Sequence, residues 1–280
     1  MIKIITDTAC DLPAELAARY GVRQLPMNIT FGADTFADQE TITTEDFYDR
    51  LVSSGEFPTT SYPSLGLYQM AVDEELAAGN QVVVITIASA LSGCYASVKV
   101  LLEDYPKDKV ALFDSKSATL GQGAIVLAAA RMVADGATFE ELQQALPGLI
   151  ERSRGYGAIN NLEYLAKGGR ISGTAATLAK ALNIKPIINV CADGSLEVAQ
   201  KVRGMGKGLA WIKNRVQEDG TDFRNTTLFV SYILQKDSAE KLLAELQQEM
   251  QLGEVILCPV GPTVGVHLGP GCVALFYLRP

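Results

Sequence analysis

Two stretches, "QVVVITIAS" (Gln81–Ser89) and "KVALFD" (Lys109–Asp114), are β-branched or apolar over most of their length and too short for helices. A strand with one wet face alternates apolar and polar residues, so runs of this kind are strands covered on both faces. Strands of that sort belong to parallel sheets wrapped by helices, and the segments around them supply both. "KIITDT" near the start is another short apolar run, followed by "DLPAELAARYG". There Asp11 suits an N-cap, Pro13 a first turn and Gly21 a C-terminal stop. "VRQLPMNITF" is again extended, while "TTEDFYDRLVSSG" and "SLGLYQMAVDEELAAG" carry helical spacing, the second closing at Gly79. The order predicts a parallel α/β unit with its loops gathered at the strand C-terminal ends, where such folds bind ligands.

After Glu151 the pattern changes. "KPIINVCADGSLEVAQKVRG" reads as a hairpin, with Asp193-Gly194 as the turn between two extended segments. The helix "GKGLAWIKNRVQEDG", the strand "TTLFVSYIL", the helix "SAEKLLAELQQEM" and the strands "GEVILCPV" and "CVALFYL" follow. Hairpins mixed with helices point to an α+β unit with a largely antiparallel sheet. A chain of 280 residues has room for two domains. The expected organisation is a parallel α/β domain at residues 1–152 and an α+β domain at 153–280, meeting at a cleft that holds a ligand.

Charge and cysteine usage remove several function classes. A net charge of −8 argues against nucleic acid, which calls for clustered Lys and Arg. Five cysteines without paired spacing, and a single histidine, argue against structural zinc and for a reduced cytoplasmic setting. No basic segment followed by a long apolar run opens the chain, so export is not expected. The run from Val255 to Leu278 has no Asp, Glu, Lys or Arg, yet its prolines and glycines exclude a membrane helix. It is expected to be strand, loop and strand.

Three loops concentrate polar and small residues. "PTTSYPS" (Pro58–Ser64) and "SALSGCYAS" (Ser89–Ser97) both run into helices. Each brings hydroxyls and unpaired N–H groups to a helix N-terminus, an arrangement that suits an anion and equally suits plain capping. "GPTVGVHLGPG" (Gly261–Gly271) holds the only histidine among glycines that allow close backbone approach. "NLEYLAKGGRISG" combines a short helix, two glycines and Arg170, which then enters "RISGTAATLAKAL", read as the start of a further helix. "GMGKG" (Gly204–Gly208) lacks the spacing of a phosphate loop, and no dinucleotide fingerprint follows the first strand, so no nucleotide cofactor is expected. From the residues alone, Ser92, Gly93 and Cys94 are either a catalytic elbow, with His267 as base, or a cradle for an anion.

The loops taken together resemble the DegV family. "IITDTACDLP", "TTSYPS", "SALSGCYAS", "FDSKSATLGQG", "NLEYLAKGGRISG", "KPIINVCADGSL" with "KVRG", and "GPTVGVHLGPG" occur in that family's order along the whole chain. The resemblance implies a two-domain bacterial fatty-acid-binding protein without catalytic residues, metal or cofactor. In such proteins a long-chain fatty acid lies between the domains, and a separate fatty-acid kinase phosphorylates its carboxylate. Carried over by motif, the carboxylate would meet Thr60, Ser61, Ser92 and the Gly93 backbone, with His267 in the hydrogen-bond network. Arg170 and Arg203 are implied for carboxylate electrostatics or kinase docking. The chain departs from the usual family pattern at Thr8, Tyr62, Cys94 and Val266, where Ser, Gln, Thr and a polar residue are common. Burying a tail of roughly 14 methylenes is worth on the order of 11 kcal/mol gross, against about 0.3–1 kcal/mol from each helix terminus for the head. On that balance the loop is a cradle. The alternatives are a lipid hydrolase or acyltransferase using Ser92 or Cys94 with His267, and a lipid-responsive regulator.

Overall fold

The computed structural model describes residues 1–171, 183–220 and 222–279. Its first half runs β1 (Ile2–Asp7), α1 (Ala14–Tyr20), β2 (Arg23–Leu25), β3 (Asn28–Phe31), β4 (Asp34–Ala37), α2 (Thr44–Ser54), β5 (Thr59–Ser61), α3 (Leu65–Ala77), β6 (Gln81–Thr86), α4 (Cys94–Leu101), β7 (Val110–Asp114), α5 (Thr119–Ala134) and α6 (Phe139–Arg152). The second runs β8 (Ser153–Ile159), α7 (Glu163–Lys167), β9 (Ile184–Val190), β10 (Leu196–Arg203), α8 (Met205–Glu218), β11 (Leu228–Ile233), α9 (Lys236–Glu249), β12 (Val255–Pro259), α10 (Pro262–Leu268) and β13 (Cys272–Leu278).

The apolar runs of the first half form a parallel sheet in the order β2-β1-β6-β7, with Val82 to Ile85 fully buried as expected of strands covered on both faces. Beside it, β4-β3-β5 make a small antiparallel sheet; the stretch "VRQLPMNITF", read as extended, divides into β2 of the parallel sheet and β3 of this one. The second half is built on a six-stranded sheet, β10-β9-β8-β13-β11-β12, antiparallel except for the β11–β12 pair. The hairpin turns at Gly194 (φ +86°), where the Cys191 carbonyl accepts from the Gly194 N–H at 2.9 Å.

Helix α5 joins the two sheets. It touches β1 of one and β8, β11 and β13 of the other. Most of its length is buried, and small residues permit the double contact: a Cβ on Gly123 would lie 2.6 Å from the Cys10 carbonyl oxygen. One apolar cluster therefore runs continuously from Ile4 and Ile5 through Leu120 to Ala274 and Phe276. A second lies on the opposite face of the six-stranded sheet, where Val273, Leu275 and Tyr277 meet α8 and α9. This explains why β13 is apolar at every position, since its two alternating faces serve two cores.

The segment between β12 and β13 corrects the expectation of a plain loop. Residues Pro262–Leu268 form a short helix, α10. Proline is tolerated at its first position because the missing N–H would have no partner there. Gly265 lets it lie against α2: a Cβ would sit 2.5 Å from the Tyr48 hydroxyl oxygen and 2.9 Å from the Phe47 ring. No helix among the described residues is long and apolar enough to cross a membrane. The helix read from "RISGTAATLAKAL" lies almost wholly outside the described residues.

Candidate functional site

The six-stranded sheet, β5, α10 and the loops that follow β6 and β7 line a cavity of about 260 Å³, far more than the ~10–15 Å³ that holds one water. It opens beyond the C-terminal ends of the parallel strands, where Ile87, Leu91 and Ala118 line it, the position at which open α/β sheets present ligand sites.

One end is polar. Strand β5 pairs with β3, Thr60 opposite Ile29, and the Thr60 Oγ1 lies 2.8 Å from His267 Nε2. His267 stands in the last turn of α10, and that helix is held by its start. The Asp38 carboxylate accepts from the Thr263 N–H at 3.4 Å, from the Thr263 hydroxyl, and from the Thr8 hydroxyl at 3.0 Å. Asp11 Oδ1 accepts from the Gly261 N–H at 3.0 Å. Burial pushes both carboxyls above their ordinary value.

The opposite side of the imidazole rests on Gly168, where a Cβ would overlap Nδ1. The Gly168 carbonyl accepts from Arg170 Nη1, and Arg170 Nε donates to the Leu91 carbonyl at 3.0 Å. Arg170 is thereby tied to the loop before α4 and to the turn after α7. Among the described residues no carboxylate pairs with it, so its charge stands over the cavity unneutralised. Burial, with that charge as a second cause, lowers the His267 pKa to about 4, and the ring is neutral at physiological pH.

The six residues expected at a ligand, Thr60, Ser61, Ser92, Gly93, Arg170 and His267, all line this one cavity. Arg203 does not: it is exposed at the end of β10. The helix-terminus picture needs correction for "PTTSYPS". Thr60 and Ser61 lie on a strand, and the helix that follows is capped by Ser64, whose Oγ accepts from the Leu67 N–H at 3.3 Å. In the second loop Ser92 Oγ accepts from the Cys94 N–H at 3.2 Å.

Among the described residues, the parts of a hydrolytic site are not brought together. Cys94 is fully buried with its sulfur 3.3 Å from the Tyr68 hydroxyl, and burial drives the thiol far above its ordinary pKa, away from the thiolate that reacts. The imidazole nitrogen of His267 that has a partner faces Thr60, not Ser92, and among the described residues no carboxylate orients the ring. No group of three or more His, Cys, Asp or Glu among the described residues could hold a metal ion.

Several lining residues escaped the sequence reading. Thr119, at φ +48°, lines the cavity from a motif in which it was not singled out, and Tyr62, noted only as a departure from the family pattern, lines it too, its hydroxyl accepting from Ser97 at 2.9 Å. The apolar end comes largely from β8, β9, β10 and β13, through residues such as Gly157, Ile188, Val190, Leu196 and Ala274. Strand β8 was not recognised at all, although Gly155 and Gly157 at alternate positions mark a strand that something approaches closely.

The family model for DegV, described as uncharacterised proteins of the DegV family, matches residues 1–279. A DegV domain-containing protein of Caldanaerobacter subterraneus subsp. tengcongensis is 32% identical over 276 residues, covering 99% of this chain and 98% of its own. Among solved structures, a DegV family protein of Thermus thermophilus described for its fatty acid binding superposes with a TM-score of 0.92 at 28% identity, covering 100% of this chain and 99% of its own. A stearic acid-binding protein of Eubacterium ventriosum superposes at 0.89 with 30% identity, covering 100% and 98%.

Proposed function

The chain belongs to the DegV family, and on that premise we propose that it is a non-catalytic fatty-acid-binding protein of the cytoplasm. The observation that carries the reading is a single cavity, apolar along the six-stranded sheet, whose other end holds the Thr60–His267 pair, Ser92 and Arg170, which pairs with no carboxylate among the described residues. A neutral imidazole and hydroxyl groups can donate to a carboxylate, and a fixed guanidinium supplies long-range attraction without rearrangement. Hydrogen bonds to a charged group contribute about 1.5–3 kcal/mol each, whereas every buried methylene contributes about 0.8. The tail sets affinity and the polar end sets orientation, with residues 1–152 and 153–280 acting as the two halves of the clamp.

Two further parts of the reading concern its setting. All five cysteines are free, as suits a reducing compartment. Arg203, exposed and outside the cavity, suits contact with a fatty-acid kinase better than contact with the acid. Arg203→Ala is expected to retain the acid while slowing its phosphorylation by such a kinase. An undiminished rate in this variant would remove Arg203 from the docking surface.

The test of the main reading is denaturing mass spectrometry of untagged protein purified from cells. A long-chain fatty acid near one per chain is the expected result. Protein that is purified empty, and that fails to take up added long-chain acids, would overturn the assignment.

A further inference from the structure

The cavity floor consists of two neighbouring antiparallel strands, β8 and β13. Their register sets Cys272 opposite Ile159, Ala274 opposite Gly157 and Phe276 opposite Gly155. Side chains alternate along a strand, so these three pairs share one face, and all six residues line the cavity. Val273, Leu275 and Tyr277 point the other way into the second core. The floor begins near His267 at Cys272, continues over the small pair Gly157–Ala274 as a trough, and ends at a phenyl ring about 14 Å further along, at ~3.4 Å per residue.

That ring is seated by two glycines. A Cβ on Gly155 would lie 2.5 Å from Phe276 Cδ1, and a Cβ on Gly121, from α5, would lie 2.9 Å from the same atom. Phe276 is only 4% exposed, packed between the strand and the helix that carry those glycines. Close-packed neighbours leave the ring no free space behind it, so an incoming tail meets it as a fixed wall. We propose that Phe276, seated on Gly155 and Gly121, is the stop that sets the longest acyl tail the cavity accepts. This rests on the fatty-acid reading above. It assigns opposite effects to two substitutions: a smaller side chain at 276 lengthens the trough, and a methyl group at 155 pushes the ring into it.

The experiment offers wild type, Phe276→Leu and Gly155→Ala an equimolar mixture of saturated acids from lauric to arachidic. Bound acids are then quantified by mass spectrometry, and circular dichroism establishes that each variant is folded. Two newly accommodated methylenes correspond to about a tenfold preference. Phe276→Leu is thus expected to raise the bound ratio of arachidic to palmitic acid about tenfold, and Gly155→Ala to lower the ratio of stearic to myristic acid by a similar factor. Unchanged ratios, or a shift in the same direction in both variants, would overturn the stop. If Gly155→Ala does not fold, Phe276→Leu alone decides. A wild type that binds none of the acids fails the fatty-acid reading itself, whereas a wild type that binds while the ratios stay fixed fails only the stop.

Discussion

Thr60→Val is expected to weaken binding of a long-chain fatty acid about tenfold to a hundredfold, the worth of one or more hydrogen bonds to a charged group. The substitution keeps a β-branched residue on β5 and removes only the hydroxyl that faces His267 Nε2 at 2.8 Å. The head then loses a donor, and the imidazole loses the partner that fixes its orientation. The second signature is in pH. An empty site holds His267 at about 4, because burial and the Arg170 charge disfavour the imidazolium, below the ordinary 6.5. A carboxylate seated beside the ring favours the imidazolium and raises that midpoint. Between the two midpoints the complex holds more protons than the free protein, so affinity rises as pH falls. The gain ends where the acid's own carboxyl takes up its proton. Calorimetric titration of wild type and His267→Gln across this range should show the slope in the first and its loss in the second. Equal affinities for wild type and Thr60→Val, with no pH slope in wild type, would place the head elsewhere.

Gly271→Ala is expected to cost about 3 kcal/mol of stability, from backbone strain of about 1–3 kcal/mol and the disturbance of a half-buried polar junction. Gly271 sits at φ +92°, and a Cβ there would overlap the Asn160 amide. That amide donates to the Pro270 carbonyl at 2.9 Å and accepts from Lys185 Nζ at 2.9 Å, while the Asn160 N–H donates to the Gly271 carbonyl at 2.8 Å. These bonds fasten the end of β8 to the start of β13, the two strands of the cavity floor. Gly79→Ala is the matched control: its φ is +78°, but nothing lies within 4 Å of the added methyl. Urea unfolding of both variants separates strain from collision, and equal losses would show that the Asn160 junction yields without cost.

Much of the frame was legible in the residues. Buried parallel strands announced themselves in "QVVVITIAS" and "KVALFD", because a strand without a wet face has no polar alternation to show. The Asp193-Gly194 turn was equally plain, since few residues other than glycine tolerate its backbone. The glycines of "GPTVGVHLGPG" announced a close backbone approach but not the helix that makes it. Gly265 is there for the packing of α10 against Phe47 and Tyr48, which local sequence cannot distinguish from a flexible loop. Strand β8 was missed because its glycines carry no strand propensity. They make sense only once Phe276, more than a hundred positions later, lies across Gly155.

By itself, then, the sequence determined most of the strands and helices, β8 and α10 excepted, and which loops gather polar groups, because periodicity and backbone restriction act between near neighbours. Only the tertiary structure decided that Cys94 faces inward to Tyr68, that His267 meets Thr60 and not Ser92, and that Arg170 is held over the cavity by the carbonyls of Leu91 and Gly168. The β8–β13 register likewise decides which residues of the two strands face the cavity. Each of these is a choice among partners far apart in the chain, settled by which faces pack together, and no single segment contains that information.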